Sequence, residues 1–259
     1  MLKYLSIAIL ILLVGCQSKS VESTNEPTVK IATDAVGKME EAHQKVNFWN
    51  KPAIQFDLKL IFGGREAFNG NMMLWTDSSR GIVTKKDGQK VYFIKDQVYH
   101  APDYPNPQGA RSTAYTFSYF FMLPYKLSDA GTVWKDMGIK YSEGRSYETQ
   151  QLSFETGTGD APDDWYLIYP EVDGLITLAA YIVTGGKTTK EEAEKNPHAI
   201  KYEDYQAIEG IPIARSWGFW NWNEKDGITE QIGSAELTNV RFLSEQESKV
   251  EVPKGWKRN

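Results

Sequence analysis

Hydrophobic and polar positions alternate in blocks along this chain, and the period changes from block to block. Val29, Ala32, Val36, Met39, His43 and Val46 recur at steps of three and four, with Lys30, Asp34, Lys38, Glu41 and Lys45 between them. That period predicts an amphipathic helix over 28–46, laid on a core by one face. From Ala53 the period drops to two: Ile54, Phe56, Leu58, Leu60 and Phe62 alternate with Gln55, Asp57 and Lys59. A strand with one buried and one wet face has this pattern. Further strands are predicted at 71–76, 81–85, 90–95 and 97–100, with Gly63-Gly64, Asp87-Gly88 and Asp96 at reversals. Residues 101–111 hold three prolines and read as a loop. Ser112 is then placed to cap an aromatic helix, 112–122, that carries Phe117, Phe120 and Phe121 and ends before Pro124. A second run of strands follows at 141–154, 164–169, 175–184, 198–208, 213–223 and 229–242, with a terminal piece. Asp173-Gly174, Gly210 and Asp226-Gly227 mark turns. Thr189 and Glu192 form the ends of a capping box on a short polar helix stopped by Pro197. The expectation is a mainly β (α+β) fold: one curved antiparallel sheet of about eleven strands packed on two main helices.

The first 27 residues differ from the rest. Lys3 precedes an apolar run from Leu5 to Val14. The run has the length of a signal peptide and is shorter than the ~20 residues of a membrane-spanning helix. It ends Leu13-Val14-Gly15-Cys16, and Cys16 is the one cysteine in the chain. This sequence resembles the lipobox of bacterial lipoproteins, which implies cleavage before Cys16 and lipid on its sulfur and new amino terminus. Residues 17–27 are polar and aperiodic and read as a tether. Three segments result: signal peptide 1–15, lipidated tether 16–27, and a single domain 28–259. Gln17 differs from the aspartate that resembles an inner-membrane retention signal in enteric bacteria, so the expected location is the cell envelope at the outer membrane, with the membrane face left open.

Composition narrows the function by exclusion. The formal net charge is −5, which does not suit a nucleic-acid surface. With Cys16 acylated, no thiol remains for a disulfide, a thiolate metal site or a redox centre. His43, His100 and His198 are scattered and fit no zinc spacing. No Gly-x-Ser-x-Gly elbow or phosphate loop occurs. The loop Gly159–Asp164 gathers Asp160, Asp163 and Asp164, but without the calcium-loop pattern it reads as a solvated turn. The expectation is a non-catalytic protein without cofactor or metal. Aromatic residues make up 13% of the chain, a content that suits half-buried sheet surfaces. The strand Arg215–Trp222 is the richest: alternation points Trp217 and Phe219 one way and Trp220 and Trp222 the other.

The order of these pieces resembles the lipoprotein-sorting superfamily of LolA, LolB and their relatives. The resemblance rests on the lipobox, the amphipathic helix, the strands broken by a helix ending Phe-Phe-Met-Leu-Pro124, and Glu209-Gly-Ile-Pro212 entering a late strand. It implies a half-barrel curled over helices and a carrier or sensor of lipid or lipoprotein acyl chains. Phe56, Leu58, Leu60, Trp75, Phe117, Phe121, Trp217 and Phe219 are the candidate cavity residues, placed by alternation. Two other functions fit the sequence: a surface carbohydrate-binding or adhesion lipoprotein that stacks sugars on Trp217, Trp220 or Trp222, and a structural envelope protein with a filled core. The partners expected are the membrane, through the anchor, and an acyl-chain ligand.

Overall fold

The computed structural model describes residues 26–159, 161–185 and 188–259. Cys16, the leader and most of the tether lie outside the described residues. Thirteen strands form one open antiparallel sheet. The first five run as a meander: β1 (Ala53–Phe62), β2 (Arg65–Trp75), β3 (Arg80–Lys85), β4 (Lys90–Ile94) and β5 (Gln97–His100). The second meander comprises β6 (Thr132–Ser142), β7 (Arg145–Phe154), β8 (Tyr166–Pro170), β9 (Ile176–Tyr181), β10 (His198–Ile208), β11 (Ile211–Asn223) and β12 (Gly227–Leu243). The meanders join where β1 pairs with β12, from Ala53↔Leu243 to Phe62↔Gly233. A terminal strand, β13 (Lys257–Arg258), pairs with β5 and covers that edge.

Among the described residues four α-helices accompany the sheet: α1 (Glu26–Ala42), α2 (Lys45–Trp49), α3 (Ala110–Met122) and the short α4 (Lys190–Ala193). The helix expected over 28–46 is two helices. Gln44 adopts left-handed backbone geometry, φ 55°, and redirects the chain. The turn carries Phe48 into the core, where its ring stacks on Tyr125 at 3.7 Å. The aromatic helix starts at Ala110, after a 3₁₀ turn over Pro107–Gly109 capped by the Asn106 side chain. Ser112 does not cap it; its hydroxyl donates back to the Gly109 carbonyl at 3.0 Å. Thr189 does cap α4, accepting from the Glu192 amide at 3.3 Å.

Strand bounds differ most from expectation in two places. The span 141–154 is the end of β6, a turn and β7; Glu143 and Gly144 both take positive φ, 50° and 73°, and reverse the chain. β2 begins directly after Gly63-Gly64, six residues before the apolar run that announced it.

Alternation sorts the side chains into an inner and an outer set. The inner core collects Ile54, Phe56, Leu58 and Leu60 of β1, Ala235 and Leu237 of β12, and Trp217 and Phe219 of β11, with Met39, Phe48 and Phe121 from the helices. Two smaller clusters lie on the outer face. One holds Tyr147, Leu167, Tyr169, Trp222 and Ile228, with Met137, Trp165 and Trp220 against it. The other holds Ala53, Met73, Ile82, Tyr92 and Leu243, covered by Val250, Val252 and Trp256 of the terminal segment.

Sheet curvature brings distant turns together at two glycines. Gly174, φ 98°, sits against α1, where a Cβ would lie 2.8 Å from the Lys38 carbonyl oxygen. Gly227, φ 73°, meets the end of β6, and a Cβ there would lie 2.6 Å from Ser142 Oγ. Both positions combine a left-handed backbone with no room for a side chain.

Candidate functional site

The inner wall is built by strand alternation and packed by helices, chiefly α3. α3 lies in the concavity and touches both meanders. On one side Phe121 stacks on Phe56 at 4.5 Å, Phe117 meets Phe68 at 5.7 Å, and Tyr115 meets Phe93 at 5.0 Å. On the other side Phe120 meets Tyr181 at 5.0 Å and Phe219 at 5.8 Å, and Tyr119 meets Tyr166 at 5.3 Å. Ala110, Ala114 and Ser118, spaced four apart, are buried together on the helix. Polar ties are few. Tyr202 donates its hydroxyl to the Phe120 carbonyl at 2.7 Å, Tyr115 to the Lys95 carbonyl at 2.6 Å, and Arg111 to the Asp96 carbonyl at 2.7 Å.

Seven of the eight candidate residues meet at this wall. Phe56, Leu58, Leu60, Phe121, Trp217 and Phe219 are buried in the inner core, and Phe117 packs half-buried against it. Trp75 does not join them: it lies on the outer face with Met73 and Tyr92, while its neighbour Leu74 points inward. Met72 and Leu74 are the inward residues of this strand, and strict alternation from either would have placed Trp75 outside. The run Met-Met-Leu-Trp is apolar throughout, so its pattern alone did not identify the inner pair.

A small void lies at one end of the wall. The void between α1, the turn after α3, and strands β10 and β11 measures about 10 Å³, bordered by His43, Tyr125, Tyr205 and Trp217. That is room for one water molecule at most. His43, 1% exposed, borders the void. Its Nε2 accepts the Ile176 amide at 3.0 Å, so the remaining proton belongs on Nδ1, which has no partner among the described residues. Burial lowers its pKa to about 3, and the Asp173 carboxylate opposes that shift. His43 is therefore a neutral core histidine that holds the start of β9 against α1.

The remaining candidates are placed as follows. His100 is buried and bonds the Ala101 carbonyl through Nδ1 at 2.8 Å. His198 is half-buried beside Tyr181. Asp164 accepts from both the amide and the hydroxyl of Thr184, at 2.8 and 2.7 Å, and burial raises its pKa. Asp160 lies outside the described residues. Among the described residues no group of three His, Cys, Asp or Glu side chains could hold a metal. No described helix is long and apolar enough to cross a membrane. Of the three tryptophans considered as sugar platforms, Trp217 is 1% and Trp222 9% exposed, and Trp222 Nε1 donates to the Tyr169 hydroxyl at 3.0 Å. Trp220 is half-buried against the outer cluster, and its Nε1 is buried without a hydrogen-bond partner among the described residues.

No protein-family model and no curated protein sequence matches the chain. Solved structures do. A LolA superfamily protein from Nitrosomonas europaea superposes with a TM-score of 0.52 over 82% of this chain and 94% of that one, at 9% identity. A putative outer membrane lipoprotein-sorting protein domain from Vibrio parahaemolyticus gives 0.54 over 84% and 97%, also at 9% identity. At such identities the likeness is one of fold. The chain is built on the LolA-like scaffold: an open, curved antiparallel sheet with helices in its concavity.

Proposed function

We propose that this protein is a lipid-anchored envelope lipoprotein that binds acyl chains non-catalytically along the inner wall of its sheet, where α3 now lies. The observation that carries the reading is the way the concavity is filled. Its apolar wall is covered along much of its length by the 13-residue α3, whose ring contacts reach both meanders and whose hydrogen bonds to flanking carbonyls include those of Tyr202, Tyr115 and Arg111. An acyl chain offers the wall the same apolar contact, at about 0.8 kcal/mol per buried methylene. Because Phe120 and Phe121 of α3 are buried against that wall, a chain enters by displacing α3. Binding therefore exchanges helix contacts for ligand contacts, and the net affinity is smaller than the area buried. The LolA-like scaffold supports the reading, since the Vibrio parahaemolyticus domain that shares it is described as lipoprotein-sorting.

The same packing supports a second reading: a structural envelope protein whose concavity is permanently filled, as small barrels are filled by side chains. Titration of the full chain with a fluorescent fatty acid separates the two. Saturable binding, together with lipid retained on the protein purified from membranes, supports the carrier. Absence of both supports the filled core. Anchoring is tested apart from binding. Cys16→Ala should move the protein from the membrane to the soluble fraction and abolish labelling by palmitate, because stable attachment needs more than one chain. Unchanged retention and labelling would contradict the anchor.

A further inference from the structure

We propose that the outer face carries a saccharide-binding groove at the fork between β11 and β12. These strands pair from Asn223↔Gly227 to Ser216↔Glu236 and then part. Beyond that point β12 stays with β1 as far as Ala53↔Leu243, and β11 stays with β10 as far as Ile208↔Ile211. The fork opens a groove of about 450 Å³ that includes Lys59, Asp204, Arg215, Ser216, Ser234 and Glu236. Its volume lies in the range of small-ligand sites, roughly 300–1,000 Å³. It faces away from the inner wall: Trp217, Ala235, Leu237, Leu58 and Leu60 point into the core, so Ser216, Ser234, Glu236 and Lys59 point out.

The chemistry of the groove selects a neutral, polyhydroxylated ligand. Two cations, Lys59 and Arg215, stand with two carboxylates, Asp204 and Glu236, so neither sign of ligand charge is favoured. One wall is fixed in place. Arg215 donates from Nε to the Leu237 carbonyl at 2.7 Å and from Nη1 to Gln206 Oε1 at 3.2 Å. Gln206 in turn donates to Asp204 at 2.9 Å. The other wall is uncommitted. Among the described residues the side chains of Lys59, Glu236, Ser216 and Ser234 make no hydrogen bond or ion pair, although Lys59 and Glu236 stand opposite each other across β1 and β12. Adjacent donors and acceptors of this kind match vicinal hydroxyls, each of which both donates and accepts. An acyl chain would leave these groups unpaired.

An indole stands near one lining residue, Ser234. The Trp220 indole lies across Gly218, where a Cβ would sit 2.5 Å from its Nε1, and Gly218 pairs with Ser234 at the groove. A half-buried indole beside a polar cleft gives the C–H face of a pyranose ring an apolar partner while the hydroxyls turn to the side chains. This site is independent of acyl binding on the opposite face, and either can fail without the other.

Calorimetric titration of the full chain with maltotriose, cellotriose and chitotriose tests the proposal. Saturable binding of at least one is expected, weakened about tenfold, or 1.4 kcal/mol, by Glu236→Ala and by Trp220→Ala. Glu236 is exposed and unpaired, so Glu236→Ala keeps the test readable if Trp220→Ala perturbs the fold. No binding of any of the three, or binding unaffected by Glu236→Ala and by Ser234→Leu, would overturn it.

Discussion

The two faces of the sheet use aromatic side chains differently. On the inner face the rings form one continuous mass: Phe48, Phe56, Phe121, Tyr125 and Trp217 are buried, and a void beside them measures about 10 Å³. On the outer face they form two separate clusters with a polar, uncovered fork between them. One cluster lies beside the end of the β6–β7 hairpin, where Tyr147 meets Tyr169 at 5.5 Å. The other is covered by the terminal segment, where Trp256 meets Tyr92 edge-on at 5.0 Å. The difference teaches that stability and exchange with solvent are divided between the faces. The inner face holds most of the fold's apolar burial, and the outer face holds, at the fork, polar side chains without a hydrogen-bond partner among the described residues.

Substitutions should separate the faces by the size of their effects. Phe121→Ala removes a ring stacked on Phe56 and should destabilise by about 3–5 kcal/mol, measured by chemical denaturation. Phe117→Ala, at a half-buried ring, should cost less, about 1–3 kcal/mol. Equal effects at the two positions would contradict the placement of α3.

The inner face should also respond to acid through His43. Its pKa is about 3 in the folded chain against an ordinary value of 6.5, so the unfolded chain takes up a proton first. The His43 contribution to stability is thus complete above pH 6.5 and is lost as pH falls toward 3. The slope approaches about 1.4 kcal/mol per pH unit inside that window. Between pH 6.5 and 5.5 few carboxylates titrate, and His43→Gln should flatten the slope there. An unchanged slope in the variant would mean that His43 is not held neutral.

The outer face should give smaller effects. Trp256→Ala uncovers Tyr92 and should cost about 1–3 kcal/mol, because the ring is only half-buried. Removing residues 257–259 would free the β5 edge that β13 now covers, and self-association should rise with concentration in light scattering. Glu236→Ala and Lys59→Ala, at exposed unpaired positions, should shift stability by less than about 0.5 kcal/mol.

Much of the inner face was legible in the chain. Strict alternation from Ile54 to Leu60 placed β1 correctly, and the opposed facing of Trp217 and Phe219 against Trp220 and Trp222 holds in the structure. The lapses have local causes. His43 continues the apolar stripe of α1, so the break at Gln44 left no mark in the pattern. The Glu143-Gly144 turn lies among residues that are polar on both sides, where a period of two cannot be read. Trp75 closes an apolar run with no polar partner to fix its side. β13 is two residues long, below any pattern, although a terminal contribution to the sheet was expected. The groove was not legible at all, because it arises from where the β11–β12 register ends rather than from any motif.

The central claim is that α3 occupies the place of an acyl chain. Hydrogen exchange of the full chain with and without saturating palmitate tests it most directly. The account predicts faster exchange over residues 110–122 when palmitate is bound, with β1 and β12 unchanged. Palmitate that fails to bind, or that binds while α3 keeps its protection, would contradict it.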